Sequence, residues 1–252
     1  MQEKQPFVSI ITPTYNSEAY IKGTIDSVKN QTHQNWELII VDDCSTDRTR
    51  DILNQEVDSD ERIKVFFLES NSGAAVARNT AMKKAKGPYI AFLDADDQWL
   101  PKKLEKQIQF MEDNHYAFTF TQYSIMDQSG KDTGKIIEIP EEIDYHGLLK
   151  NTIIGFLTVM INVEKTGSVE MPNIRTRQDY AFELSILKKG FKAYGLKETL
   201  SKYRVVKGSI SSNKVKAAKR NWQVYRKIEK LSLPYSIWCF LNYAFFAMKK
   251  RL

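Results

Sequence analysis

Three carboxylates follow an apolar run in Phe92-Leu93-Asp94-Ala95-Asp96-Asp97. Acids crowded at the end of a strand repel one another, and a shared cation relieves that repulsion. Mg²⁺ and Mn²⁺ prefer oxygen ligands of this kind, and such an ion usually also holds the phosphates of a substrate. An acidic loop that caps the helix after Pro101 would account for the same residues, so the cluster alone leaves metal binding and capping both open.

A second pair of acids, Asp42 and Asp43, ends the apolar run from Trp36 to Val41. A carboxylate in this position can accept hydrogen bonds from the N–H of a base or from ribose hydroxyls. Capping of the next helix accounts for Ser45 or Asp47 but leaves the two acids without a structural role.

Arg78 lies on a predicted helix that follows Asn71-Ser72-Gly73. Gly73 permits a tight turn, the N-terminus of the helix favours anions, and the arginine could reach a phosphate or a base on the same side. The chain contains neither G-x-G-x-x-G nor G-x-x-x-x-G-K-[ST], so dinucleotide and P-loop sites lose their main support.

Asp179 precedes a helix in Arg177-Gln178-Asp179-Tyr180. It is either an acid favoured by the helix dipole or a general base directed into a cleft, and its position alone slightly favours the first role. His33, His115 and His146 are scattered and predict neither a zinc site nor a catalytic triad.

The elements that would position these residues alternate between strand and helix over the first hundred residues. Short apolar runs predict strands, and apolar side chains at helical spacing predict the helices between them. The predicted strands are 8–11, 36–41, 63–68 and 89–93, and the predicted helices are 18–31, a helix capped at 45–47 that runs through 53, and 73–86. Such βαβ units imply an α/β fold with a parallel sheet, whose ligands bind at the carboxyl ends of the strands.

The pattern changes after Pro101. It predicts a helix at 102–114, a β-rich stretch at 117–125, a hairpin turn at 128–130, a buried strand within 153–163, a helix at 180–189 and a last strand at 200–206. We interpret residues 1–212 as one domain, whose halves 1–100 and 101–212 differ in pattern. Residues 213–252 form a basic, aromatic-rich helical tail.

The basic charge of the chain lies in that tail. The 252 residues carry a net charge of +6, but residues 213–252 contain ten Lys or Arg and one acid, so the first 212 residues carry −3. This distribution argues against a nucleic-acid partner. Residues 231–248 are uncharged and aromatic-rich but too interrupted to predict a membrane span. They are typical of an interfacial helix drawn to an anionic membrane surface, and packing on the domain formed by residues 1–212 would explain them equally.

Hydrophobic residues make up 42% of the chain, which suffices for a sizeable core. Only Cys44 and Cys239 occur, so neither a disulfide framework nor a cysteine-rich metal site is expected. The N-terminal residues lack the pattern of a secretion signal. We therefore expect a cytoplasmic protein, peripheral on the inner face of the cell membrane.

Five segments in order resemble the motifs of the family 2 glycosyltransferases, the large inverting group with the GT-A fold. The segments are Pro13-Thr14-Tyr15-Asn16, 41–47, 71–79, 85–97 and Gln178-Asp179-Tyr180. They extend over about 170 residues. The resemblance implies a Rossmann-like central sheet, mostly parallel and flanked by helices. It also implies that residues 1–212 are the catalytic domain, with a nucleotide-binding half (1–100) and an acceptor half (101–212).

The resemblance also implies which residues bind the nucleotide sugar. Pro13 and Tyr15 belong to the opening nucleotide loop. Asp42 or Asp43 would recognise the nucleotide, usually uridine, through base and ribose. Arg78 would help to hold it.

The same resemblance implies roles for the later acids. Asp94 and Asp96 would hold a divalent cation, Mn²⁺ or Mg²⁺, that bridges the donor diphosphate, with Asp96 the better ligand and Asp97 a lesser one. Asp179 corresponds to the catalytic base, which takes a proton from the acceptor hydroxyl as that hydroxyl attacks the anomeric carbon.

Tyr203-Arg204 with Ser209 and Ser211 resembles the family's late loop near the diphosphate, so Arg204 would contact the donor. Many members carry a histidine shortly after this arginine. This chain has Val205-Val206-Lys207 there, a departure that leaves the third metal ligand unassigned.

We therefore predict a metal-dependent inverting glycosyltransferase that uses a nucleotide sugar, expected to be a UDP-sugar. The acceptor would be a glycan or lipid-linked hydroxyl in bacterial cell-wall or capsular polysaccharide synthesis. A sugar nucleotidyltransferase is the alternative enzyme, but it would need a glycine-rich basic loop where this chain has Pro13-Thr14-Tyr15-Asn16. A nucleic-acid-binding protein or an inactive transferase is the non-catalytic alternative.

Overall fold

The computed structural model describes residues 5–206 and 214–249. Within these ranges one sheet of ten strands is flanked by helices. The elements are β1 (Val8–Thr14), α1 (Ile21–Lys29), β2 (Trp36–Asp42), α2 (Thr49–Ser59), β3 (Ile63–Phe67), α3 (Ala74–Lys84), β4 (Tyr89–Phe92), β5 (Gln98–Trp99), α4 (Lys103–Asp113), β6 (Phe118–Met126), β7 (Asp132–Ile137), β8 (Glu142–Ile143), α5 (Tyr145–Lys150), β9 (Met160–Asn162), α6 (Val163–Thr166), α7 (Gln178–Leu187), β10 (Ala193–Arg204), α8 (Lys214–Gln223) and α9 (Leu233–Lys249).

The sheet has the strand order β3-β2-β1-β4-β9-β6-β10-β5, with β7 beside β6 and β8 beside β10. Its longer ladders are parallel and join β1 to β2, β1 to β4, β2 to β3 and β6 to β10. The antiparallel ladders consist of two or three residue pairs each. The predicted central, mostly parallel sheet is confirmed.

Strand β2 alternates between two apolar cores, one on each face of the sheet. Trp36, Leu38 and Ile40 pack with residues of α1, α2 and α4. Ile39 and Val41 pack with residues of α3, α7 and the C-terminal helices. A strand buried on both faces reads as a continuous apolar run, which is why the sequence predicts it well.

Element boundaries in the first hundred residues agree with the prediction to within three residues, except at α2. That helix spans Thr49–Ser59 rather than ending at Leu53. Asp47 accepts a hydrogen bond from the Thr49 backbone N–H at 3.0 Å, as an acid before a helix should. Ser45 instead accepts one from the backbone N–H of Asn16 at 2.8 Å, so it joins two loops rather than capping the helix.

In the second half the hairpin is confirmed, since β6 and β7 pair antiparallel across a turn in which Gly130 has φ +90°. Strand β9 lies within the predicted 153–163 stretch, and β10 begins earlier than predicted, at Ala193. The sequence gives no sign of β5 or β8, because strands of two residues have no periodicity to detect.

The C-terminal helices pack on the body of the protein. The Tyr225 hydroxyl donates to the Leu149 carbonyl at 2.6 Å, and the Tyr145 hydroxyl donates to the Glu229 carboxylate at 2.6 Å. Cys239 is fully buried in the same core as β2 and α7. These contacts support the packing interpretation of the tail; the boundary at 212 stays a prediction.

One face of α9 nevertheless remains exposed. Its large apolar side chains with exposed fractions of 45–59% are Leu233, Ile237, Trp238, Leu241 and Phe245. Four of them recur every fourth residue, so they form one stripe along the helix. Across residues 5–206 and 214–249, no helix has the length and apolar character that crossing a membrane requires.

Candidate functional site

A cavity of about 630 Å³ lies at the carboxyl ends of β1, β2 and β4, the edge where parallel sheets bind ligands. Its wall is built from segments distant in sequence: the loops after these strands, α3, the segment leading into α7, β10 and α8. Of the predicted site residues, the cavity is lined by Pro13, Tyr15, Asp43, Arg78, Asp94, Asp96 and Asp179. Asp42 and Arg204 do not line it.

Pro13 and Tyr15 lie at the carboxyl end of β1, and the Tyr15 side chain is 48% exposed. The loop that follows is tied to the loop after β2. Asn16 donates its backbone N–H to Ser45 Oγ at 2.8 Å, and its side-chain oxygen accepts the Thr46 N–H at 2.8 Å. These bonds hold one wall of the cavity in place.

Asp43 is buried and holds the loop before α3. Its Oδ1 accepts the Ser72 N–H at 2.6 Å and its Oδ2 accepts the Gly73 N–H at 2.8 Å. Gly73 has φ +93°, a conformation that glycine adopts without strain. Asp43 therefore combines a structural role in this loop with a position on the cavity wall.

Asp42 does not reach the cavity, contrary to its prediction as a nucleotide ligand. Its carboxylate is fully buried, pairs with Arg50 Nε at 2.8 Å, and accepts hydrogen bonds from the backbone N–H and the hydroxyl of Ser45. Successive residues of a strand point to opposite faces of a sheet, so Asp42 and Asp43 are directed apart.

Asp94 and Asp96 both line the cavity. Burial and the neighbouring Asp94 charge raise the pKa of Asp96 to about 6. A cation would relieve this repulsion, and Mg²⁺ or Mn²⁺ commonly binds one or two carboxylates and completes its shell with phosphate and water oxygens. No group of three or more His, Cys, Asp or Glu within the described residues is arranged to hold a metal. The two carboxylates thus fit an ion that takes its other ligands from substrate and water.

Asp97, the lesser metal candidate, is buried behind this loop. Its Oδ1 accepts the backbone N–H of Arg204 at 2.8 Å. Burial raises the pKa of Asp97 well above its usual range, and the charges of Asp96 and Asp94 add to the effect. Asp97 connects the loop after β4 to β10 and does not line the cavity.

Arg204 supports this loop from behind rather than facing the cavity as predicted. Its Nε donates to the Asp96 carbonyl at 2.7 Å and its Nη1 to the Gln128 carbonyl at 3.1 Å. Its guanidinium lies 4.9 Å from the centre of the Tyr20 ring. Its Nε and Nη1 donate to backbone carbonyls because β10 passes behind the Asp94–Asp97 loop. Lys207, Ser209 and Ser211 of the same predicted loop lie outside the described residues.

Arg78 lines the cavity with a largely buried guanidinium. It is 5% exposed, its Nη2 pairs with Asp94 Oδ1, and its guanidinium lies 5.2 Å from the centre of the Phe156 ring. Its Nε and Nη1 are buried and find no hydrogen-bond partner in the described part of the chain. Buried donors of this kind are costly without a partner, so they suit an anionic ligand.

Asp179 lies in the first turn of α7 and on the cavity wall. Its Oδ1 accepts the backbone N–H of Tyr180 at 2.8 Å. Gln178 also lines the cavity. Its side-chain oxygen is buried without a hydrogen-bond partner among the described residues. The sequence offered a helix terminus and a cleft as alternative positions for Asp179. The structure places its side chain in both, at the start of α7 and on the cavity wall.

Sequence reasoning missed three arginines on the cavity wall, Arg175, Arg177 and Arg220. Arg177 directly precedes the Gln178-Asp179-Tyr180 motif, and that adjacency was the available signal. Arg220 belongs to α8, in the segment interpreted as a separate tail, and no sequence signal connects it to the site.

Comparison with known proteins gives the family. Residues 9–168 match the family described as glycosyl transferase family 2. TuaG of Bacillus subtilis (strain 168) is 59% identical over 252 residues, which is 100% of each chain. It is named as a putative teichuronic acid biosynthesis glycosyltransferase. WfgD of Escherichia coli, named as a UDP-Glc:alpha-D-GlcNAc-diphosphoundecaprenol beta-1,3-glucosyltransferase, is 43% identical and covers 96% of this chain and 94% of its own.

A solved structure shows the same fold. Mannosyltransferase PcManGT from Pyrobaculum calidifontis, in complex with GDP-Man and Mn²⁺, has a TM-score of 0.71 and 19% sequence identity, covering 95% of this chain and 69% of that chain. At this identity the likeness concerns the fold alone. Together with the family match and the sheet topology, it establishes that the chain is a glycosyltransferase of family 2 with the GT-A fold.

Proposed function

We propose that this chain transfers a sugar from a UDP-sugar to a hydroxyl of a lipid-linked glycan acceptor, with inversion at the anomeric carbon and with a divalent cation. One observation carries the proposal: acids from two strand ends and Asp179 line the same cavity. The name of WfgD, which specifies a UDP-sugar and a diphosphoundecaprenol-linked acceptor, supports the substrate classes. Cell-surface polysaccharide synthesis is the corresponding process.

The donor nucleotide would bind at the ends of β1 and β2. The half-exposed ring of Tyr15 offers a face for stacking of the base, beside Pro13. Asp43 keeps carboxylate lone pairs for the base N–H or a ribose hydroxyl beyond its two backbone bonds. The unpaired Nε and Nη1 of Arg78 suit the phosphates.

Asp94 and Asp96 would hold the cation, Mn²⁺ or Mg²⁺. When bound, such an ion supplies positive charge to the diphosphate as it departs. Arg78 holds the Asp94 carboxylate in place, and Arg204 holds the loop through the Asp96 carbonyl. Both arginines therefore position the acidic residues at the reacting centre.

Asp179 would act as the general base. A hydroxyl is a weak nucleophile at neutral pH, so Asp179 takes its proton as the oxygen attacks the anomeric carbon. UDP leaves from the opposite face of the sugar. One displacement of this kind forms one glycosidic bond, breaks the bond to the diphosphate and inverts the anomeric centre.

Peripheral attachment to the cytoplasmic face of an anionic membrane accompanies this proposal. The apolar stripe of α9 includes Trp238, and exposed Arg226, Lys227 and Lys230 precede that helix. Aromatic side chains favour the headgroup level, and basic side chains are attracted by anionic lipid. Lys250 and Arg251, which the sequence also assigns to this surface, lie outside the described residues.

The test is a panel of UDP- and GDP-sugars, each with and without Mn²⁺, supplied with a GlcNAc-diphospholipid acceptor. We expect nucleoside diphosphate release and glycolipid formation with a UDP-sugar and only when the cation is present. Sugar transfer at the same rate in excess chelator would contradict the requirement for a divalent cation. A preference for a GDP-sugar would contradict the proposal that the donor nucleotide is UDP.

A further inference from the structure

The turn between β6 and β7 is organised by one carboxylate. Asp127 Oδ1 accepts the backbone N–H of Ser129 at 2.9 Å, that of Lys131 at 3.1 Å and the Ser129 hydroxyl at 2.6 Å. The Asp127 carbonyl accepts the Gly130 N–H at 3.0 Å. An aspartate that bonds to the backbone following it in this way fixes the course of a turn. The turn 127–130 therefore has one defined shape, although Gln128 and Ser129 are exposed.

This turn contacts the guanidinium of Arg204. Arg204 Nη1 donates to the Gln128 carbonyl at 3.1 Å and lies 3.4 Å from the Asp127 carbonyl. A Cβ atom added to Gly130 would lie 3.2 Å from Arg204 Nη1 and 3.8 Å from Nη2. The first of these distances is shorter than an ordinary van der Waals contact. A side chain at position 130 would therefore push the guanidinium away from the turn.

The same guanidinium holds the loop after β4, which carries Asp94 and Asp96. Arg204 Nε donates to the Asp96 carbonyl at 2.7 Å, and the Arg204 backbone N–H donates to Asp97 Oδ1 at 2.8 Å. The N–H groups of a guanidinium form a rigid planar fork, so a displacement at Nη1 is transmitted to Nε. The turn 127–130 and the acidic loop are thus connected through one rigid group.

The neighbouring carbonyls of the acidic loop have a different support. The Thr24 hydroxyl of α1 lies 2.9 Å from the Ala95 carbonyl and 2.8 Å from the Asp97 carbonyl. The Asp96 carbonyl lies between these two in sequence and is held by Arg204. Because the peptide group is planar, fixing this carbonyl fixes the backbone torsion beside the Cα of Asp96. Arg204 therefore helps to set the direction in which the Asp96 carboxylate enters the cavity.

We propose that Gly130 is a positioning residue for the cation. It leaves room for the guanidinium in the turn 127–130, which keeps Arg204 on the Asp96 carbonyl and the Asp96 carboxylate directed at the ion. This inference rests on the proposed function, which assigns the cation to Asp94 and Asp96. Gly130 does not line the cavity, so it acts through Arg204.

A second glycine of the same hairpin provides a matched control. Gly134 of β7 has φ +74°, and Gly130 has φ +90°. A Cβ atom added to Gly134 would meet no atom within 4 Å. Alanine therefore brings backbone strain at both positions, but it contacts Arg204 from position 130 and not from position 134.

The test measures UDP affinity by calorimetric titration with and without Mn²⁺, and the ratio of the two affinities gives the contribution of the cation. The variants are Gly130→Ala, Arg204→Lys and the double variant that combines them, with Gly134→Ala as the control. Arg204→Lys retains the positive charge but loses the planar fork that connects the turn 127–130 to Asp96. Urea unfolding of each variant measures its stability separately.

We expect Mn²⁺ to raise the UDP affinity of the unaltered protein. Arg204→Lys should weaken UDP binding in the presence of Mn²⁺ by about tenfold, as is typical when the support of a metal ligand is removed. Gly130→Ala displaces the guanidinium without removing it and should weaken the same binding by about threefold or more. Both variants should bind UDP normally without Mn²⁺, a split that a loss of folding would not produce.

The control and the double variant identify the route of the effect. Gly134→Ala should lose as much stability as Gly130→Ala and yet keep the full effect of Mn²⁺, since only the backbone strain is shared. The double variant should bind UDP with Mn²⁺ as weakly as Arg204→Lys alone, because Gly130 acts through Arg204.

Three results would overturn the inference and leave the proposed function standing. The full effect of Mn²⁺ in Gly130→Ala or in Arg204→Lys would show that the turn does not support the cation site. An equal loss in Gly134→Ala would assign the effect to backbone strain. A further loss in the double variant would show that the effect does not pass through Arg204. An unaltered protein whose UDP affinity does not rise with Mn²⁺ would instead contradict the cation of the proposed function, and this inference with it.

Discussion

We expect Asp179→Asn to abolish sugar transfer while leaving the fold and donor binding intact. Asparagine has nearly the same shape, and its side-chain oxygen can still accept the hydrogen bond that Tyr180 N–H donates to Asp179 Oδ1 at 2.8 Å. An amide does not take up a proton at neutral pH. The substitution therefore removes the proposed base and retains the local contact.

The size of the effect separates the two roles of this carboxylate. A general base contributes about 10²–10⁴ in rate, which is about 3–5 kcal/mol of the barrier. An acid in the first turn of a helix contributes only about 0.3–1 kcal/mol of stability through the helix dipole. We therefore expect kcat to fall by at least about 100-fold and the free energy of unfolding to change by less than about 1 kcal/mol.

The assay measures kcat from UDP release at saturating donor and acceptor, with donor affinity from calorimetry and stability from urea unfolding. Asp51→Asn is the matched control, because Asp51 is an exposed acid in the first turn of α2 and does not line the cavity. It should show the same small change in stability with normal kcat. An Asp179→Asn enzyme with wild-type kcat would refute the proposal that Asp179 is the general base. A loss of rate matched by a loss of donor affinity would indicate that Asp179 binds the donor instead.

Three further predictions concern the cation, pH and the membrane. Asp96→Asn should remove the Mn²⁺-dependent part of UDP-sugar affinity, and a calorimetric titration with unchanged affinity would contradict this. Burial raises the pKa of Glu183 in the folded protein well above its value of about 4.5 in the unfolded chain. As pH rises above about 4.5, the unfolded chain loses this proton first, so the free energy of unfolding decreases. This decrease amounts to at most about 1.4 kcal/mol per pH unit and ends at the pKa of Glu183 in the folded protein. Urea unfolding of Glu183→Gln at a series of pH values should not show this decrease. The double variant Trp238→Ser with Phe245→Ser should float less with phosphatidylglycerol vesicles than the control Ile136→Ser, which alters an exposed apolar residue of β7. Equal flotation of the two variants would count against a membrane-binding surface on α9.

The elements that the sequence predicts well are those whose pattern is local. Strand β2 is a continuous apolar run because it is buried on both faces, and the hairpin turn before β7 contains a glycine at positive φ. The sequence did not predict strands β5 and β8, because each is defined by its pairing with β10, which is distant in the chain. Pairing of this kind leaves no trace in the spacing of two residues.

The candidate site divides in the same way. The sequence by itself determined the family resemblance and the residue types that could bind a nucleotide, hold a cation and accept a proton, because each motif is contiguous. Only the tertiary structure decided that Asp43 and not Asp42 lines the cavity, since that depends on which way a strand end faces.

Packing between distant segments decided the rest. Arg204 is directed at the back of the Asp94–Asp97 loop because β10 passes behind it. Arg220 lies on the cavity wall together with Ala217, because α8 forms part of that wall. The basic tail, which by sequence is separate from the site, thus contributes to it. The sequence specifies the chemistry that a segment carries, whereas the direction of each side chain is set by contacts with residues far away in the chain.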